Sequence, residues 1–134
     1  MVIDSSAILA VLLDEPEARA LIEAIDRDPT RLMSVASLVE CSIVLTARFG
    51  ADGVRNLDLF VARAGVNLVA VDVDQAYVAR QASRNYGKGR HAASLNFGDC
   101  FSYALSRTSA EPLLFKGADF ALTDVDPVIP ATAP

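Results

Sequence analysis

Four short apolar runs, each about the length of a buried strand, punctuate a chain whose other apolar residues recur at helical spacing, and this alternation limits the possible folds most. Met1-Val2-Ile3 opens the chain and stops at Asp4. A second run, within residues 31–36, carries Leu32, Met33 and Val35 and stops at Ser37. The third, within residues 67–73, contains Leu68-Val69-Ala70-Val71, apolar on both faces as in a strand covered by helices on either side. Leu113-Leu114-Phe115 is the fourth, and Val128-Ile129 reads as a short edge strand. Between them lie helical stripes: Ala7, Ile8, Val11 and Leu12; then Ala20, Leu21, Ala24 and Ile25, with Pro16 suited to the first turn. Leu38, Ile43 and Val44 form the next, closed by Gly50, and Val54, Leu57 and Phe60 another, closed by Gly65. Asp74 is placed to cap a helix through Tyr77 and Val78. Strand and helix in alternation predict a three-layer α/β/α sandwich around a mostly parallel central sheet.

At 134 residues and 52% hydrophobic, the chain has material for one sizeable core, so residues 1–130 are expected to form a single domain and residues 131–134 a loose tail. No apolar run reaches the length of a membrane span, and the start lacks the pattern of a signal peptide, so a cytoplasmic protein is expected. Cys41 and Cys100 stand far apart and outside any C-x-x-C spacing, which argues for buried thiols over a zinc site or a disulfide. The formal charge of -5 opposes general attraction to nucleic acid, so a polyanionic substrate requires a metal or a local basic patch.

The acids are where such a metal finds its place. In a parallel sheet the site lies beyond the carboxyl ends of the strands, where neighbouring connections diverge. Asp4 follows the first strand; Glu40 lies one turn into the helix after the second; Asp99 opens the helix before the fourth, just after a glycine break at Gly98; Asp119 lies beyond the fourth. Like charges gathered at one edge are unfavourable without a cation, and hard Mg²⁺ or Mn²⁺ suits oxygen donors. Each acid has a competing role. Asp99 suits a helix N-cap, Glu40 falls in a Ser37-Leu38-Val39-Glu40 capping box, and Asp119 suits a turn. Asp72 and Asp74 also lie at a strand's carboxyl end.

Other chemistries have weaker footing. His91 is the single histidine and lies in a basic, flexible loop, Gly87-Lys88-Gly89-Arg90-His91, which leaves a Ser/His/Asp machine little to stand on. No phosphate-binding G-x-x-x-x-G-K-[ST] loop and no G-x-G-x-x-G turn is present.

Val2-Ile3-Asp4-Ser5-Ser6, Glu40, Asn96-Phe97-Gly98-Asp99-Cys100 and the stretch from Leu113 to Asp124 together resemble a PIN-domain ribonuclease, most closely the VapC toxin branch, across essentially the whole chain. The resemblance implies Asp4 and Asp99 as the principal Mg²⁺ ligands, with Mn²⁺ as a substitute, and Glu40 completing the acidic pocket. One departure concerns the fourth acid. Relatives often carry an acid or Asn just before an Asp-Phe pair, whereas Ala118 precedes Asp119-Phe120 here; Asp119 takes that role, with Asp124 as its substitute. Also implied are hydrolysis of RNA phosphodiesters by a metal-activated water, a homodimer, and a VapB-type antitoxin whose tail blocks the pocket. The alternatives are a Mg²⁺-dependent phosphoryl-transfer domain, for which Asp4-Ser5-Ser6 lacks the D-x-D pattern or an adjacent acidic pair, and a non-catalytic module of PIN-like shape. Arg80, Arg84, Lys88, Arg90 and His91, with Lys116, supply the concentration of positive charge that could track RNA phosphates.

Overall fold

The computed structural model describes residues 1–130; the expected tail at 131–134 lies outside the described residues. Strand β1 (Val2–Ile3) leads to helices α1 (Ser5–Leu12) and α2 (Ala18–Arg27), and β2 (Leu32–Ser34) to α3 (Val35–Phe49) and α4 (Ala51–Arg63). β3 (Asn67–Val69) leads to α5 (Val73–Tyr86) and α6 (Phe97–Ser109), and then comes β4 (Leu113–Leu114). All pairings are parallel, in the order β3-β2-β1-β4, with Val2 beside both Leu32 and Leu113.

Alternation along the short strands divides the core into two. Met1, Ile3, Met33 and Leu114 point to one face and pack with Ile8, Leu21, Ile25, Cys41, Leu45 and Leu57 from α1–α4. Val2 and Leu113 point to the other and pack with Ala79, Ala82, Cys100, Tyr103 and Leu105 from α5 and α6. From β1 to β3 the chain steps outward one strand at a time, then crosses back beyond β1 to β4. The right-handedness of parallel crossovers requires the helices of that return to lie on the opposite face, which gives three layers.

Several expected boundaries move. β3 is an edge strand with Asn67 and Leu68 exposed, so its apolar run is not buried on both faces. β2 ends at Ser34, whose hydroxyl accepts the Ala36 amide and caps α3, three residues before the expected stop at Ser37. Asp72, not Asp74, caps α5, accepting the Gln75 amide at 2.8 Å. Pro16 sits in the turn before α2 rather than in its first turn. The expected strand at Val128-Ile129 reduces to an isolated bridge between Leu113 and Pro127.

Candidate active site

Because the direction of travel reverses at β1, the connections leaving β1 and β4 diverge and open a crevice above their carboxyl ends. Asp4 enters it directly from β1. Its backbone is still extended, and Oδ2 accepts the Ser6 amide at 3.0 Å, so it N-caps α1. Oδ1 accepts the Ser102 hydroxyl of α6 at 2.5 Å. Ser102 Oγ lies 3.2 Å from Ser37 Oγ of α3; its own proton is committed to Asp4, so Ser37 is the donor to it. Asp4 is only 1% exposed, and this chain of hydroxyls, with the Ser6 amide, satisfies a carboxylate that burial would otherwise penalise.

Glu40 arrives from α3, where its Oε1 accepts the Ser5 hydroxyl. The capping box expected with Ser37 does not form, because Ser34 caps the helix and Ser37 lies buried within it. Glu40 is therefore released from that role. Its carboxylate occupies the space that a side chain at residue 98 would fill. Gly98 is thus not a break: it lies inside α6, and its bare Cα admits the acid of a neighbouring helix.

Asp99 is the third helical residue of α6, not its cap. Asn96 Oδ1 accepts the Asp99 amide at 2.9 Å, and Asp99 Oδ2 accepts the Asn96 amide at 3.0 Å, a reciprocal capping box. Burial pushes the Asp99 carboxyl up to about 6; the Asn96 amide opposes the rise, and the negative charges of Asp4, Glu40 and Asp119 add to it. Asp119 follows β4 and precedes a 3₁₀ turn (Phe120–Leu122), exposed and making no capping bond. Asp124 is committed elsewhere, accepting the Tyr103 hydroxyl at 2.6 Å and facing Arg107 at 3.8 Å. Of the two candidates for fourth acid, Asp119 is the one whose charge bears on Asp99.

The donor set fits a hard divalent cation, since it consists of carboxylate oxygens whose mutual repulsion raises Asp99. Among the described residues no three acid, histidine or cysteine side chains stand as a ready-made metal cage. Instead the Ser6 amide and the Ser102 hydroxyl engage the two oxygens of Asp4, and Ser5 and the Asn96 amide engage one oxygen each of Glu40 and Asp99. The cysteines are spectators: burial, then the charges of Asp4 and Glu40, push the Cys41 thiol up to about 12, and Cys100 donates to Asn96 O at 3.3 Å.

The expected basic patch is only partly assembled. Lys116 is paired with Glu15 and lies 3.7 Å from Glu17. His91 stacks edge-on against Tyr86 and accepts the Ala93 amide on Nδ1. The loop carrying it, expected to be flexible, is pinned by Lys88 N to Leu95 O at 3.0 Å and by Leu95 N to Tyr86 O at 2.9 Å. Arg80 and Lys88 line a common groove between α5 and α6, and Arg84 is not part of its lining. The sequence marks Ser37 only as a strand stop and helix cap, and Ser102 goes unmarked. The available signal was a hydroxyl on each helix at a position that helical spacing places among core residues.

A PIN domain family model matches residues 1–126. The chain is 61% identical over 125 residues to Ribonuclease VapC of Mycolicibacterium smegmatis, an alignment covering 93% of this chain and 97% of that protein. Among solved structures it is similar to VapC20 of Mycobacterium tuberculosis, described as a sarcin-ricin-loop-cleaving toxin, with a TM-score of 0.73, 17% identity and coverage of 94% and 98% of the two chains. A toxin-antitoxin complex from Klebsiella pneumoniae contains a chain similar at a TM-score of 0.71 and 17% identity, with 97% and 98% covered.

Proposed function

This chain belongs to the PIN-domain family, and from that membership we propose how its acids cut RNA. It is a ribonuclease and the toxin of a toxin-antitoxin pair. Residues 1–130 act as one catalytic domain. Asp4 and Asp99 hold the divalent cation of the family, here Mg²⁺ with Mn²⁺ as substitute, and Glu40 and Asp119 complete the pocket. A divalent cation held by Asp4 and Asp99 would supply Lewis-acid chemistry there, the activation of a water and the neutralisation of phosphate charge. Asp4 holds its place through the Ser6 amide and the Ser102 hydroxyl, so its carboxylate is aimed before substrate arrives. Ser5 fixes Glu40 in the same way, and Gly98 leaves room for that carboxylate beside Asp99. The observation that carries the reading is the meeting of acids from distant parts of the chain at the start of α6: Asp4 is hydrogen-bonded to Ser102 of that helix and the Glu40 carboxylate lies against Gly98, next to Asp99.

The protein works in the cytoplasm, where its substrate is, and among the described residues no helix is long and apolar enough to cross a membrane. A VapB-type antitoxin restrains it, a reading supported by its likeness to the Klebsiella complex. A homodimer is the assembled form; Val39 and Ile43, exposed one turn apart on α3, offer apolar surface for a second copy.

The test is cleavage of total RNA by purified protein with and without Mg²⁺. Cleavage that vanishes on chelation and in Asp4→Asn and Asp99→Asn supports the assignment; wild-type cleavage in either variant at saturating Mg²⁺ overturns it.

A further inference from the structure

The groove between α5 and α6 reaches the first turn of α6, in which Asp99 stands, and has a composition the cleavage chemistry does not require. Its volume is about 570 Å³, and Arg80, Ser83, Lys88, Asn96, Phe97 and Phe101 line it. Phe97 is 83% exposed, the most exposed of the large hydrophobic side chains, although it stands two residues from Asp99. The ring is nonetheless held, packed edge-on against Phe101 with centroids 4.9 Å apart and planes at 81°. Most of the surface of the Phe97 ring is thus left to solvent at the groove. Arg80 is also oriented, its guanidinium 4.9 Å from the Tyr77 ring centroid. Among the described residues neither Arg80 nor Lys88 has a carboxylate at ion-pair distance, in a chain of net charge -5.

An exposed ring beside two cations without carboxylate partners matches a strand that carries both a flat apolar face and phosphates. We propose that this groove is a nucleobase subsite, in which Phe97 stacks an unpaired base next to the scissile phosphodiester while Arg80 and Lys88 hold the adjoining phosphates. The inference rests on the ribonuclease reading and narrows its substrate to RNA whose base is free to leave a helical stack. Phe97 is a specificity-determining contact, and none of the four acids of the proposed cleavage site lines the groove.

The test uses Asp99→Asn protein, which should bind RNA without cutting it, a short single-stranded oligoadenylate, and an abasic ribose-phosphate strand of the same length. Adding Phe97→Ala should weaken oligoadenylate binding by about tenfold or more, leave the abasic strand unaffected, and be rescued by Phe97→Tyr. Adding Arg80→Ala with Lys88→Ala should weaken binding of both strands and reduce the salt slope by roughly two phosphate contacts. Oligoadenylate affinity unchanged by Phe97→Ala overturns the subsite, and so does a loss confined to an acidic peptide probe, which would make the groove a peptide site. Protein with Asp99 intact separates the two readings. If it cuts RNA equally well with and without Phe97→Ala, the subsite fails and the ribonuclease stands. If it cuts nothing while the groove binds bases as described, the ribonuclease reading fails alone.

Discussion

Two carboxylates of the site carry a second duty, since Asp4 caps α1 and Asp99 closes the capping box of α6. Asparagine keeps the acceptor oxygen that a cap needs and loses the charge that a cation needs. Asp99→Asn should therefore lose cleavage while staying folded. Asp4→Asn should lose cleavage at some cost in stability, because one of its two buried acceptor oxygens becomes a donor, and Asp4→Ala should also lose about 1 kcal/mol of cap, read by chemical denaturation. Ser102→Ala leaves Asp4 Oδ1 buried without a donor and should cost about 1–3 kcal/mol together with activity. Gly98→Ala should displace the Glu40 carboxylate, a flexible end, and so reduce turnover far more than it lowers the melting temperature. pH adds a further readout. With its pKa raised to about 6, Asp99 contributes most to stability while both folded and unfolded forms are protonated, and that contribution is lost as pH rises from about 4 through about 6. In a metal-free melting series across that window, Asp99→Asn should remove part of the fall in stability seen in the parent. Asp4, Glu40, Asp99 and Asp119 were all legible as candidates because an acid after a buried strand or at a helix mouth stands out in sequence. The hydroxyls that aim them were not, because a serine among core residues has the same spacing whether or not it has a partner.

At the scale of elements, the alternation of runs and stripes located the four strands of the sheet and the helices between them; the misplacements lie at the caps, in the burial of β3 and in a strand at Val128-Ile129 that does not form. Ser34 and Ser37 are equally good caps by residue type, as are Asp72 and Asp74. What decides is where the sheet pairing ends: Ser34 is in register with Val69, and nothing beyond it has a strand partner, so α3 starts at once. Ser34→Ala should accordingly destabilise the protein by about 1 kcal/mol, and Asp72→Ala likewise, while Asp74→Ala should lie within about 0.5 kcal/mol of the parent in denaturant titrations. The same shift removes the capping-box role of Glu40, because a capping box needs its serine outside the helix. β3 was misread for a different reason. A run of Leu-Val-Ala-Val looks buried, and only the strand order makes it an edge.

Across the whole molecule, the reversal of strand order beside β1 brings the charges of Asp4, Glu40 and Asp119 to bear on Asp99, so the proposed site exists only in the completed fold. Assembly beyond the single chain is an expected outcome of its own. Sedimentation at micromolar concentration should give a dimer, and Ile43→Lys should convert it to a monomer that still cuts RNA if α3 forms the contact. Partner and chemistry can be scored separately: co-expression of a VapB-type protein should restore growth and co-purify with the chain. The double duty of Asp4 has a consequence for heredity. Cells forced to grow while the toxin is expressed will accumulate lesions that silence it. At codon 4 most replacements forfeit the start of α1 and the burial of the residue, so those survivors should contain little of the protein. At codon 119, where the side chain is exposed and caps nothing, survivors should contain a full complement of inert toxin that can still absorb antitoxin. The position of a lesion would then set whether a lineage merely loses its toxin or also acquires a decoy that drains antitoxin from intact copies in the same cell.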